Sequence, residues 1–336
     1  HNAFHNAPKF NQPIGNWDMS SVQNIDQLFN NAISFNQPIG NWDTSSVIQM
    51  NSVFKDARAF DQDISQWDTS KVTSMGGIFY GASVFNQPIG NWDTSSVRSL
   101  SMAFSRAEAF NQPLANWDTS SVTNMTKLFE GASSFNQEIG NWDTSKVTTM
   151  SGMFDGADEF NKPIGAWGTS AVTNMSYLFR SSAFNQPIGN WDTSKVTLMN
   201  GLFQSAKVFN QDISNWDTAE VTNMERMFNS AEAFNGNIAG WNTSKVTKMG
   251  SMFIWAKSFN QDISAWDVTA VTSMSNMFNV GMSDTNKGLV HAAFSTNENW
   301  NMEWAEFAPQ APALTDETFS TALALWFSDE AAAIET

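Results

Sequence analysis

The stretch Phe110-Asn-Gln-Pro-Leu-Ala-Asn-Trp-Asp-Thr-Ser-Ser-Val-Thr-Asn-Met-Thr-Lys-Leu-Phe-Glu-Gly-Ala-Ser-Ser134 decides the fold, because the chain then begins it again. Phe135-Asn-Gln-Glu-Ile-Gly-Asn-Trp-Asp-Thr-Ser-Lys-Val147 follows at once. Working outward, tryptophan falls at Trp17, Trp42, Trp67, Trp92, Trp117, Trp142, Trp167, Trp191, Trp216, Trp241 and Trp266. The interval is 25 residues except from Trp167 to Trp191, where it is 24. The missing residue lies between Phe179 and Phe184. Eleven copies start at Phe10, Phe35, Phe60, Phe85, Phe110, Phe135, Phe160, Phe184, Phe209, Phe234 and Phe259. Residues 1–9 are the tail of an earlier copy, with Phe4 and Ala7 in phase. A fixed period of this length marks a repeat array.

Each copy carries two apolar patterns. Val122, Met125, Leu128, Phe129 and Ala132 fit one face of a short helix, with Ser120 as its N-cap. Leu114, Trp117 and Thr119 are short and extended, which predicts a strand around Trp-Asp-Thr-Ser. Pro13, Pro38, Pro88, Pro113, Pro163 and Pro187 share a column that reads as turn, since proline cannot donate to a ladder. The small column Gly15, Gly40, Ser65, Gly90, Ala115 and Gly140 suits a tight corner. One copy cannot bury its own Phe, Ile, Trp, Val and Met, whereas stacked copies bury them all. The expected fold is an α/β solenoid, leucine-rich-repeat-like, built of 25-residue coils. Each coil would hold one short parallel strand plus one short helix or turn, over residues 1–282.

The chain of 336 residues has a net charge of −16 and no cysteine. The acidity argues against nucleic acid and against docking to anionic lipid. Without cysteine there is no disulfide or thiol chemistry. No apolar run is long enough to insert into a membrane in this segment.

Trp-Asp-Thr-Ser-Ser-Val-Thr-Asn-Met (117–125), with Phe-x-x-Ala-x-x-Phe-Asn-Gln around it, resembles the bacterial and protist surface-protein repeats of the BspA-like, mycoplasma-lipoprotein type. That family is similar to leucine-rich repeats, and Ile139-Gly-Asn-Trp-Asp-Thr-Ser145 can be laid over their pattern. The resemblance covers residues 1–282. It implies a curved array, an extracellular or cell-surface location, and adhesion or protein binding. It carries no catalytic residues.

Beyond the array, residues 283–314 break the period and read as a cap over the last repeat. Residues 315–336 read as an amphipathic helix through Phe319, Ala322, Leu323, Trp326 and Phe327. The resemblance to those surface proteins implies that such a helix is the lead-in to a further array; with no stop signal after it and a start inside a repeat, the chain reads as a fragment of a longer protein.

The candidate binding residues are an outward stripe: Asp18, Asp43, Asp68, Asp93, Asp118, Asp143, Asp192, Asp217 and Asp267. Carboxylates stacked about 4.8 Å apart repel by roughly 1 kcal/mol per pair in water. Their offset is either a cation or basic partner, or local hydrogen bonds from backbone and the following Ser or Thr. No cofactor is called for, and Ca²⁺ is left open at this stripe. Asp284-Thr-Asn-Lys-Gly288 resembles a calcium loop only faintly, lacking a third acid and the closing Glu.

The Asn column from Asn11 to Asn260, interrupted by Asp61, reads as a structural ladder. The Trp and Met columns read as core rather than carbohydrate platform or metal ligands, and the Thr column as local bonding rather than an ice-binding face. Asn124, Asn174 and Asn242 begin glycosylation sequons. His1, His5 and His291 lack metal spacing, and no phosphate loop or nucleophile elbow occurs. The sequence thus points to a noncatalytic scaffold that binds proteins or surface polymers, with self-association left open. The alternatives are a structural spacer of a surface layer, filament or appendage, and the noncatalytic part of a larger enzyme.

Overall fold

The computed structural model describes residues 2–279 and 281–309. Successive repeats lie side by side. A continuous line of parallel bridges joins one residue per repeat, from Asn24 through Gln49, Ser74 and Asn124 to Ser273.

The backbone around each bridge alternates in its bonding. Met125, Lys127, Phe129 and Gly131 donate to the carbonyls of Thr149, Ser151, Met153 and Asp155 in the next repeat, at 2.7–3.1 Å. The N–H groups between them turn back on their own repeat: Leu128 to Met125, Glu130 to Lys127 and Ala132 to Phe129, at 3.1–3.2 Å. Lys127 and Gly131 take left-handed φ values of 55° and 65°.

The helix expected over Val122–Ala132 is therefore absent, and a chain of tight turns stands there. Turns repeating every three to four residues bury the same positions as a helix would. A helix, however, keeps its N–H groups for itself, whereas this backbone spends half of them on the neighbouring repeat. Glycine at 77, 81, 131, 152, 156 and 201 was the legible signal, since a left-handed residue has no place in a helix.

The strand expected at Trp-Asp-Thr-Ser also needs correction. Trp117 and Thr119 point inward and Asp118 outward, as an extended chain requires. Yet no backbone bond joins repeats there among the described residues. Side chains supply the link instead. Thr119 Oγ1 donates to the Asp143 carbonyl at 3.0 Å, and the Trp142 indole N–H donates to the Leu114 carbonyl at 3.0 Å. The parallel bridges fall further on, at the residue before Met.

Aromatic rings fill the interior in register. Phe129 stacks on Phe135 of the following repeat at 3.8 Å and on Phe154 at 5.8 Å, while Trp142 and Trp167 lie 6.4 Å apart. The Gly column is a close approach, as a Cβ on Gly90 would lie 2.5 Å from the Pro113 carbonyl oxygen.

Helix α1 (Asp284–Phe294) follows the array and packs against a 3₁₀ turn, Ala305–Phe307. Trp304 lies 5.1 Å from the ring of Phe278, and Trp300 meets Phe294 edge-on at 5.4 Å. Asp284–Gly288 is the start of α1, with Ser283 as N-cap and Asp284 bonded to Lys287, so the faint calcium-loop reading is corrected. Gly288 abuts the 3₁₀ turn, and a Cβ there would fall 1.9 Å from the Phe307 carbonyl oxygen. Gly288→Ala is expected to cost about 1–3 kcal/mol through forced separation of the two elements. Hydrogen exchange of the Val290 and Phe294 amides checks this, and unchanged protection would refute it. The helix expected at 315–336, and Pro312 of the proposed cap, lie outside the described residues.

Candidate interaction surfaces

The nine stripe carboxylates all face solvent. Each accepts at Oδ1 from the backbone N–H two residues on, as in Ser70 to Asp68 at 3.0 Å and Ser194 to Asp192 at 3.0 Å. Serine hydroxyls add a second bond to the same oxygen, at 2.7 Å for Asp68 and 2.6 Å for Asp192. The Ser70 hydroxyl and then its amide hold the Asp68 carboxyl below its ordinary value of 3.8, and Ser194 does the same for Asp192. Asp18 and Asp68 push Asp43 upward, but more weakly than Ser45 pulls it down. Local bonds thus offset the repulsion along the stripe. Among the described residues, no group of three or more His, Asp or Glu is placed to hold a metal ion.

A depressed carboxyl makes a pH prediction. The folded-state pKa of Asp68 lies below the unfolded one. Its contribution is therefore complete above the ordinary value of 3.8 and is lost as pH falls through the folded value. Ser70→Ala should return the Asp68 titration, followed by carboxyl carbon NMR, toward 3.8. An unmoved midpoint would show that the serine is not the cause.

The Asn column is a ladder in which side chains replace backbone carbonyls. Asn111 Oδ1 accepts the Asn136 N–H at 3.0 Å and Gln137 Nε2 at 2.8 Å. Asp61 performs the same task for Asn86 and Gln87, at 2.9 and 2.8 Å. The pattern continues into the cap, where Ser283 N–H and Asn286 Nδ2 occupy Asn260 Oδ1 at 2.9 and 3.0 Å. Helix α1 thus begins by imitating the next repeat.

Sequence reasoning leaves the variable positions beside Val122–Ala132 as a surface free to act, but does not show which of the differing residues meet there. One row reads Lys55, Tyr80, Ser105, Glu130, Asp155 and Arg180 across successive repeats. Lys55 Nζ and the Arg106 guanidinium lie 4.9 and 5.6 Å from the Tyr80 ring centre, and Arg180 lies 4.9 Å from that of Tyr177. Those are the only two tyrosines in the chain. Lys127 Nζ and Ser105 Oγ both donate to Glu130, at 2.8 and 2.9 Å. The Arg180 guanidinium forks onto Asp155, whose carboxyl burial pushes up against the pull of that cation. Trp255 stands 55% exposed on the same face. Arg106, Lys127, Tyr177 and Trp255 all hold left-handed φ near 55–58°.

A recurring interior with differing exterior rows defines a tandem-repeat protein. The chain belongs to the family described as Mycoplasma protein of unknown function, DUF285, whose model matches residues 1–117, 98–189 and 179–292. No curated protein matches it. Among the described residues, no helix is long and apolar enough to cross a membrane.

Proposed function

We infer that this chain is a noncatalytic, extracellular or cell-surface scaffold that binds proteins, built as a leucine-rich-repeat-like solenoid. The carrying observation is the contrast between the two kinds of column. Interior positions recur from copy to copy, whereas the bridge face brings Tyr80, Arg106, Tyr177, Arg180 and Trp255 to the surface. Aromatic and arginine side chains are the types that anchor protein interfaces. Gln27, Met102, Arg106, Lys127, Tyr177, Arg226 and Trp255 also keep a left-handed backbone that costs L-residues about 1–2 kcal/mol each, where other repeats place Gly, Ser, Asn or Asp. Strain retained on an exposed face favours use of that face. The Asp stripe supports a secondary contact, since each carboxylate has a second oxygen available to a basic partner or Ca²⁺.

The test is binding to immobilised extracellular-matrix proteins, comparing the intact chain with a Tyr80→Ser, Arg106→Ser, Trp255→Asn variant. Saturable binding that falls at least about tenfold in the variant supports the reading. The variant's thermal midpoint should stay level or rise, because the left-handed positions relax. Equal binding by both proteins, or none by either, would overturn the assignment.

A further inference from the structure

The repeat from Phe160 to Ala183 is one residue short, and the shortfall lies at the corner before Phe184. Repeats on either side carry a backbone bond at this corner. Ser134 N–H donates to the Glu108 carbonyl at 3.1 Å, and Glu159 N–H to the Ser133 carbonyl at 3.2 Å. Beyond the short repeat, Ala233 N–H donates to the Lys207 carbonyl at 3.1 Å. The peptide unit Ser133–Ser134 therefore serves both neighbours: its N–H binds the repeat before, and its C=O is bound by the repeat after.

The short repeat supplies no such unit. Among the described residues, no backbone N–H reaches the Asp158 carbonyl, and the Val208 N–H reaches no backbone carbonyl. Between them opens a recess of about 310 Å³, lined by Asp158, Ser181, Ala183, Ser205, Lys207 and Val208. Val208 is 49% exposed at its edge. The Arg58–Val84 corner also lacks its bond, but that repeat has full length and its Ser83 carbonyl still receives the Ala109 N–H.

We propose that this notch binds one peptide unit of an extended partner polypeptide. The guest N–H donates to the Asp158 carbonyl, and the guest carbonyl accepts from the Val208 N–H. Asp158 and Val208 belong to the repeats on either side of the short one, whose Ser181, Ser182 and Ala183 line the recess between them. The guest thus completes the stack as an added strand completes a sheet edge. The guest side chain preceding that bond sits between the Asp158 carboxylate and the Lys207 ammonium. A side-chain amide matches both, donating to one and accepting from the other. This site does not depend on where the protein resides or on the bridge face.

The probe is acetyl-Gly-Gln-Gly-methylamide, titrated into the full chain while the Val208 amide is followed by ¹⁵N NMR. A control peptide carries sarcosine in place of the last glycine, which removes the N–H aimed at Asp158. The expected result is a saturable Val208 shift, with affinity at least about fivefold weaker for the sarcosine peptide. Inserting an alanine between Ser182 and Ala183 refills the corner and should abolish the shift. No saturable shift at Val208, or equal affinity for the two peptides, would overturn the proposal, whether or not the insertion variant folds.

Discussion

Phe129→Ala is expected to lower the unfolding free energy by roughly 3–5 kcal/mol, the usual cost of emptying a large aromatic site. Phe129 is fully buried and meets Phe104, Phe135, Trp142 and Phe154, so its ring ties its own repeat to both neighbours. The vacated space cannot close easily, because the flanking rings are themselves held in register by backbone bonds on the bridge face. In an array each repeat is stabilised mainly by its neighbours, so the loss should be felt first around Phe104–Phe154. Urea midpoints and hydrogen exchange across that span measure it. Val84→Ala is the reference, being 46% exposed and expected to shift stability by no more than about 0.5 kcal/mol. A Phe129→Ala effect as small as that of Val84→Ala would mean the ring columns do not hold the repeats together.

The second large effect belongs to the Asn ladder. Asn111→Leu removes the acceptor of the Asn136 N–H and the Gln137 amide, and stranding part-buried donors costs about 1–3 kcal/mol. Asn111→Asp should remain within about 0.5 kcal/mol of the parent at neutral pH, since the acceptor oxygen survives. The chain already contains that substitution at Asp61, with both bonds intact. Thermal midpoints of the two variants decide the matter. Equal loss in both would assign the column to shape rather than to hydrogen bonding.

These outcomes separate two kinds of information in the chain. Repeat length, the short copy, the buried Phe, Trp, Val and Met columns and the Asn ladder are all legible in the sequence. Each depends on chemistry that recurs at one position: an apolar side chain must be covered, and a ladder needs an acceptor in every rung. The inward Trp and Thr and the outward Asp follow from the same alternation.

Hydrogen-bond allocation was not legible. The spacing of Val122, Met125, Phe129 and Ala132 is common to a helix and to linked turns. Only the neighbour's carbonyls, one repeat away, decide which N–H groups leave the local chain. The same holds at Trp-Asp-Thr-Ser, where an indole and a hydroxyl took the contacts expected of a strand. Tertiary structure alone also showed that Tyr80, Arg106 and Trp255 share one face, and that beside the short repeat the Asp158 carbonyl and the Val208 N–H carry no backbone bond. The sequence by itself determined what had to be buried and how often. The partner of each backbone dipole was decided only when a second repeat lay beside the first, because hydrogen bonds are short-ranged and directional whereas burial needs only cover.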